Sequence, residues 1–168
     1  AGDLIFVCDI GGGTTDFTLI AVVESGGELQ LERLAVGEHI LLGGDNMDLA
    51  LARFTEQELA AKGRKLDALQ LNALWQNCRA AKEKMFTPGE TADAYPVTVL
   101  GRGSSLIGGS IKASLKRKDV EQIVLEGFFP EVTSQDLPVR ARRAALYEIG
   151  LPYATDTAVT RHLAKFLR

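Results

Sequence analysis

The chain has 168 residues, 46% of them hydrophobic and 24% charged, with a formal net charge of -3. That is the balance of a globular protein able to bury its own core, and it excludes the strongly basic footprint of a nucleic-acid binder. No apolar run approaches the roughly 18 residues of a membrane span, and no charged segment with a cleavage site opens the chain.

The two cysteines, Cys8 and Cys78, stand far apart without C-x-x-C or Cys/His spacing. They read as reduced, buried thiols, and the expected compartment is the cytoplasm. The first residue is alanine and Leu4 already lies in a strand-like run, which suggests an excised piece of a longer chain.

In chain order, the apolar runs Leu4 to Cys8 and Phe17 to Val23 predict two strands joined by a glycine cluster. Ser25, Gly26 and Gly27 supply a turn, and Glu28 to Ala35 predicts a third strand. There, Leu29, Leu31 and Leu34 break the period of two, so a bulge or early end is expected near Arg33. A helix is predicted from about Met47 to Lys62, with Asp45, Asn46 and Asp48 at its start and Gly63 closing it. A second helix spans about Asp67 to Met85, with Leu69, Ala73, Leu74, Cys78, Ala81 and Met85 at helical spacing, and Pro88 with Gly89 stop it. The stretch Ala94 to Leu115 predicts a hairpin turning at Gly101 and Gly103. Helices follow over Lys118 to Phe128, Arg140 to Glu148 and Thr157 to Leu167, separated by Pro130, Pro138 and Pro152. The plan is α/β. The expected division is a sheet-based lobe over 1–50 and about 116–168, with an inserted subdomain of helices and hairpin over about 51–115.

The stretch "DIGGGTTD" places Gly11, Gly12 and Gly13 between Asp9 and Asp16. Glycines let backbone N-H groups approach a ligand and take positive φ, and successive N-H groups in a turn make an anion-binding concavity. Flanking carboxylates repel a phosphate unless a cation lies between, and with magnesium the arrangement makes sense. Thr14 and Thr15 add hydroxyls for a phosphate or an attacking water. Neither G-x-x-x-x-G-K-[ST] nor G-x-G-x-x-G is present, so by composition alone a glycine-rich hairpin turn is an equal reading.

Three stretches in order bear a resemblance. "DIGGGTTDFTLI" resembles the second phosphate loop of the actin-like ATPase superfamily, specifically the seventy-kilodalton heat-shock chaperone family, the DnaK-like proteins. "LLGGDNMDLAL", Leu41 to Leu51, resembles that family's next marker, and "CRAAKEKMF", Cys78 to Phe86, its adenosine helix. "LEGFFPEV" and "GLPYATDTAVTRHLAKFL" are similar to a divergent bacterial branch.

The resemblance implies an actin-like, ribonuclease H-like ATPase lobe, a mixed sheet with flanking helices plus a smaller helical and hairpin subdomain. It implies a chaperone ATPase taking ATP or ADP with Mg2+ and coupling hydrolysis to conformational change. It implies that Asp9 orders the magnesium shell and attacking water, that Gly11, Gly12, Gly13 and Thr14 hold the β- and γ-phosphates, and that Asp16 serves a second cation. Gly43 and Gly44 would border the nucleotide near its sugar and phosphates, and Lys82 would reach the ribose. The implied partners are nucleotide, the first lobe of the ATPase domain, unfolded peptides and co-chaperones. Arg79, Glu83 and Phe86 depart from the family's glutamate, arginine and serine, which removes the guanidinium expected to stack on adenine at position 83. The family's first phosphate loop, its earlier lysine and its peptide-binding domain fall outside these residues, so the chain alone is expected to be weak or inactive in catalysis.

A sugar or acetate kinase lobe is the alternative within the superfamily, and a nucleotide-free interaction module is the alternative from another class. Asp45 and Asp48 read as helix-start residues. His39 and His162 are isolated, without a second ligand at metal spacing. Trp75 reads as a core or lobe-interface residue. "KASLKRKD", Lys112 to Asp119, is basic but carries no aromatic residue, so it reads as a solvated helix start.

Overall fold

The computed structural model describes residues 1–101, 109–139 and 154–168. They divide into two compact units, Ala1–Gly44 with Phe128–Arg168, and Asp45–Gly127. The sequence-based boundaries fall at 50/51 and 115/116, whereas these units divide at 44/45 and 127/128.

The first unit is built on three strands, β1 (Leu4–Ile10), β2 (Thr15–Ser25) and β3 (Glu28–Val36), each slightly longer than its apolar run. They pair antiparallel in the order β1-β2-β3. Gly26 and Gly27 join β2 to β3 with φ of 65° and 84°. A two-residue hairpin loop needs positive φ at both positions to match the twist of its strands, and glycine takes it without a steric penalty. The irregularity expected near Arg33 is present: Leu19 faces Ala35 while Ile20 faces Arg33, which leaves Leu34 as the extra residue.

Alternation along β2 puts Phe17 on one face, where its ring lies 5.9 Å from Phe6 and 5.7 Å from Phe166. Phe166 comes from the last helix, Val159–Phe166. Aromatic pairs at this spacing add to area burial, so the helix is fastened to β1 and β2. The outer strands are exposed along their length. Cys8 is therefore exposed, contrary to the expectation of a buried thiol, because β1 is a sheet edge. The parallel pairing of a mixed sheet is not found among the described residues: both sheets there are antiparallel. Short hairpin connections allow no parallel crossover.

In chain order the helices are α1 (Gly44–Ala61), α2 (Ala68–Met85), α3 (Arg117–Glu121) and α4 (Val159–Phe166). The second unit holds Asp45 onward of α1, with α2, α3 and the hairpin of β4 (Ala94–Val99) and β5 (Ile111–Lys116). α2 opens on a capping box in which Asp67 accepts from the Gln70 N-H at 2.8 Å and Gln70 Oε1 accepts from the Asp67 N-H at 3.1 Å. Its buried stripe is Gln70, Leu74, Cys78, Ala81 and Met85. Leu69, expected in that stripe, is 83% exposed, and Ala73 is exposed too. The capping box sets Gln70 inward, which turns position 69 to solvent. Trp75 is half-buried.

Arg117 ties the end of α2 to the hairpin by donating to the Met85, Glu90 and Ala92 carbonyls at 2.8, 3.0 and 2.9 Å. The helix expected over 118–128 is α3 followed by a π-helical turn, Gln122–Glu126. The helix expected over 140–148 and the turn glycine Gly103 lie outside the described residues. No helix among the described residues is long and apolar enough to cross a membrane.

Candidate phosphate and cation site

The glycine cluster is a hairpin loop between β1 and β2. It closes where Ile10 faces Thr15, with the Gly11 N-H donating to the Thr14 carbonyl at 2.8 Å. Gly11 and Gly13 stay out of the left-handed region, against the positive φ expected there. The requirement for small residues comes instead from close packing. A Cβ on Gly43 would stand 2.5 Å from the carbonyl oxygens of both Gly11 and Gly12. The Gly44 N-H donates to the Gly11 carbonyl at 3.0 Å. Thus Gly11, Gly12, Gly43 and Gly44, named from two separate motifs, come together in one backbone cluster.

Thr15 fixes the base of this cluster. It is fully buried, its hydroxyl donates to the Leu42 carbonyl at 2.8 Å, and its backbone pairs with Ile40 at 2.9 and 3.2 Å. A hydroxyl so engaged leaves no donor for a phosphate, which corrects the expectation for Thr15. Thr14, the other candidate, is half-buried at the loop's end. A Cβ on Gly13 would meet open space.

Asp9 and Asp16 are directly opposed in the β1–β2 ladder. Opposed residues share a sheet face with Cβ atoms about 4.5–5.5 Å apart, and like charges so placed repel. Alternation puts them on the face opposite Phe17. Asp16 Oδ1 accepts from His39 Nδ1 at 2.8 Å, with the imidazole taken as the Nδ1-H tautomer. Among the described residues no group of three or more His, Cys, Asp and Glu side chains gathers as a metal cage. Two hard oxygen donors beside a backbone loop suit a cation that keeps most of its own waters, which is the habit of Mg2+ rather than of a transition metal.

Lys82 belongs to the second unit, where its ammonium lies 2.7 Å from Asp48 Oδ1. Asp48 is almost wholly buried, and that burial pushes its carboxyl above the usual range although Lys82 pulls the other way. Asp48, expected as a helix-start residue, is thus the partner of an ion pair inside the unit. Arg79 Nε donates to Glu83 at 3.0 Å and its Nη1 lies 3.7 Å from Asp45. Positions 79 and 83 therefore pair along α2, one turn apart. Phe86 ends that helix with its ring partly exposed. Cys78 is buried and its thiol is pushed up to about 12, chiefly by burial, so it stays protonated.

The sequence reading left His39 isolated, because its partner Asp16 lies 23 positions away. Only the strand register brings them together, and no local pattern encodes it.

The family model described as Hsp70 protein matches residues 1–132. Among curated proteins, the chaperone protein DnaK of Psychrobacter cryohalolentis is similar, 29% identical over 127 residues that make up 71% of this chain and 19% of that protein. The chain thus spans about a fifth of the length of that relative. With the family match covering most of the chain, the chain belongs to the Hsp70 family.

Proposed function

We propose that this chain is part of a DnaK-like chaperone ATPase and carries a phosphate and cation site on its first unit. The observation that supports this reading most strongly is the close packing of Gly43 on Gly11 and Gly12, beside two opposed carboxylates. In this reading Gly11, Gly12, Gly13 and Thr14 bind the β- and γ-phosphates, and Gly43 and Gly44 border the nucleotide. Asp16, expected to serve a second cation, directly opposes Asp9 in the ladder, so in this reading the two carboxylates hold one cation through its waters, and Asp9 also orients the attacking water.

Mg2+ supplies neutralisation of phosphate charge when bound. The chain's own part is positioning. Phosphoryl transfer asks a protein mainly to hold groups in line and to stabilise charge, and a slow, switching ATPase fits such a site. Hydrolysis coupled to conformational change belongs to the complete protein, and the partners we propose for it are the first lobe of the ATPase domain, unfolded peptides and co-chaperones. The exposed apolar residues of β1 and β3 support packing against further protein.

A nucleotide series tests the reading. Binding anchored on phosphate predicts that ADP and ATP with magnesium bind the chain by calorimetry, that AMP binds more weakly by about tenfold or more, and that adenosine is weakest still. Equal affinity for all four would mean that no phosphate site operates. Absence of binding by the complete protein would favour the nucleotide-free module.

A further inference from the structure

Between β3 and α1, residues 37–40 run beside the start of β2 and are pinned to it. The Gly37 N-H donates to the Phe17 carbonyl at 2.8 Å, and Ile40 exchanges backbone bonds with Thr15 at 2.9 and 3.2 Å. A Cβ on Gly37 would crowd Phe166 at 3.2 Å and Phe17 at 3.4 Å. Glu38 is paired with Lys165 of α4 at 2.6 Å. The one side chain of this pinned segment that reaches the candidate site is His39, with Nδ1 2.8 Å from Asp16 Oδ1.

We propose that His39 is a positioning residue for the cation carboxylate Asp16, an inference that rests on the phosphate and cation reading above. A carboxylate with a partly exposed side chain has several rotamers, and a cation held through water needs one of them. The Nδ1-H occupies one lone pair of Oδ1 and fixes the plane of the carboxylate, which leaves Oδ2 to accept from a metal-bound water. The backbone bonds at Gly37 and Ile40 hold the donor in place from a different strand connection, so the orientation does not depend on Asp16 itself. Partners of this kind, one step removed from a cation, are worth about 10–100-fold in metal affinity or activity. The pair is partly open to solvent, with His39 61% and Asp16 47% exposed, so the lower end of that range applies.

The test is the ratio of ATP affinity with magnesium to ATP affinity in EDTA, measured by calorimetry on the full chain. His39→Ala is expected to lower that ratio by about tenfold while leaving the metal-free affinity within about twofold. His39→Asn places an N-H donor the same number of bonds from Cα and is expected to restore most of the ratio. In an Asp16→Ala background, His39→Ala is expected to have no further effect. An unchanged ratio in His39→Ala, an equal loss with and without metal, or a further loss on top of Asp16→Ala would each overturn the role of His39 and leave the site reading standing. A wild-type chain whose ATP binding shows no magnesium dependence would overturn both.

Discussion

Gly43 shows how one residue can join two motifs. The sequence motifs at 11–13 and 43–44 each read as glycine-rich for reasons of their own, but the structure gives a shared reason: any side chain at 43 collides with two carbonyl oxygens of the other loop. Backbone oxygens cannot swing aside as the end of a side chain can. Gly43→Ala is therefore expected to destabilise the chain by about 1–3 kcal/mol, the range for overpacking, and to weaken nucleotide binding by shifting the phosphate loop. Urea denaturation and calorimetry on the same variant check both parts. Unchanged stability would mean that the loops separate freely. Motif glycines were legible in the sequence, whereas their mutual contact, the Thr15 bond to Leu42 and the His39 bond to Asp16 were not, since each joins residues more than 20 positions apart.

At the scale of elements, Asp156 fastens the segment before α4. Its carboxylate accepts from the Val139 and Ala158 N-H groups at 2.7 and 2.9 Å and from Arg161 at 3.1 Å. Burial pushes its carboxyl up, but these donors together outweigh it and hold it below the usual aspartate range. A carboxyl depressed in the folded state adds stability above its unfolded value and loses it as pH falls through the folded one. Asp156→Asn is accordingly expected to cost about 1–3 kcal/mol at neutral pH, the range for hydrogen bonds to a charged group. Its deficit against wild type should shrink as pH drops below the ordinary aspartate value. Urea midpoints of both proteins across that acid range measure it, and a deficit constant with pH would assign the effect to packing alone. This node gave no signal in the sequence, because one of its donors, Val139, lies 17 positions away. Strands and long helices did, because apolar runs and helical spacing are local; α2 was misjudged only at Leu69 and Ala73, where the capping box decides which side turns inward.

For the whole molecule, family membership rests on a match to residues 1–132, and the region aligned with the DnaK relative covers 19% of that protein. The glycine loop between β1 and β2 lies within the first unit, so the proposed nucleotide binding can be tested on this chain. The motif order announced the family, while the contact between the two glycine motifs lay in strand register and loop packing. The most direct measurement is calorimetric titration of the 168-residue chain with magnesium-ATP, run beside Asp9→Ala. Binding by the wild-type chain that is lost in Asp9→Ala is the predicted result. Binding of equal strength in Asp9→Ala would contradict the assignment of the cation and phosphates to this loop.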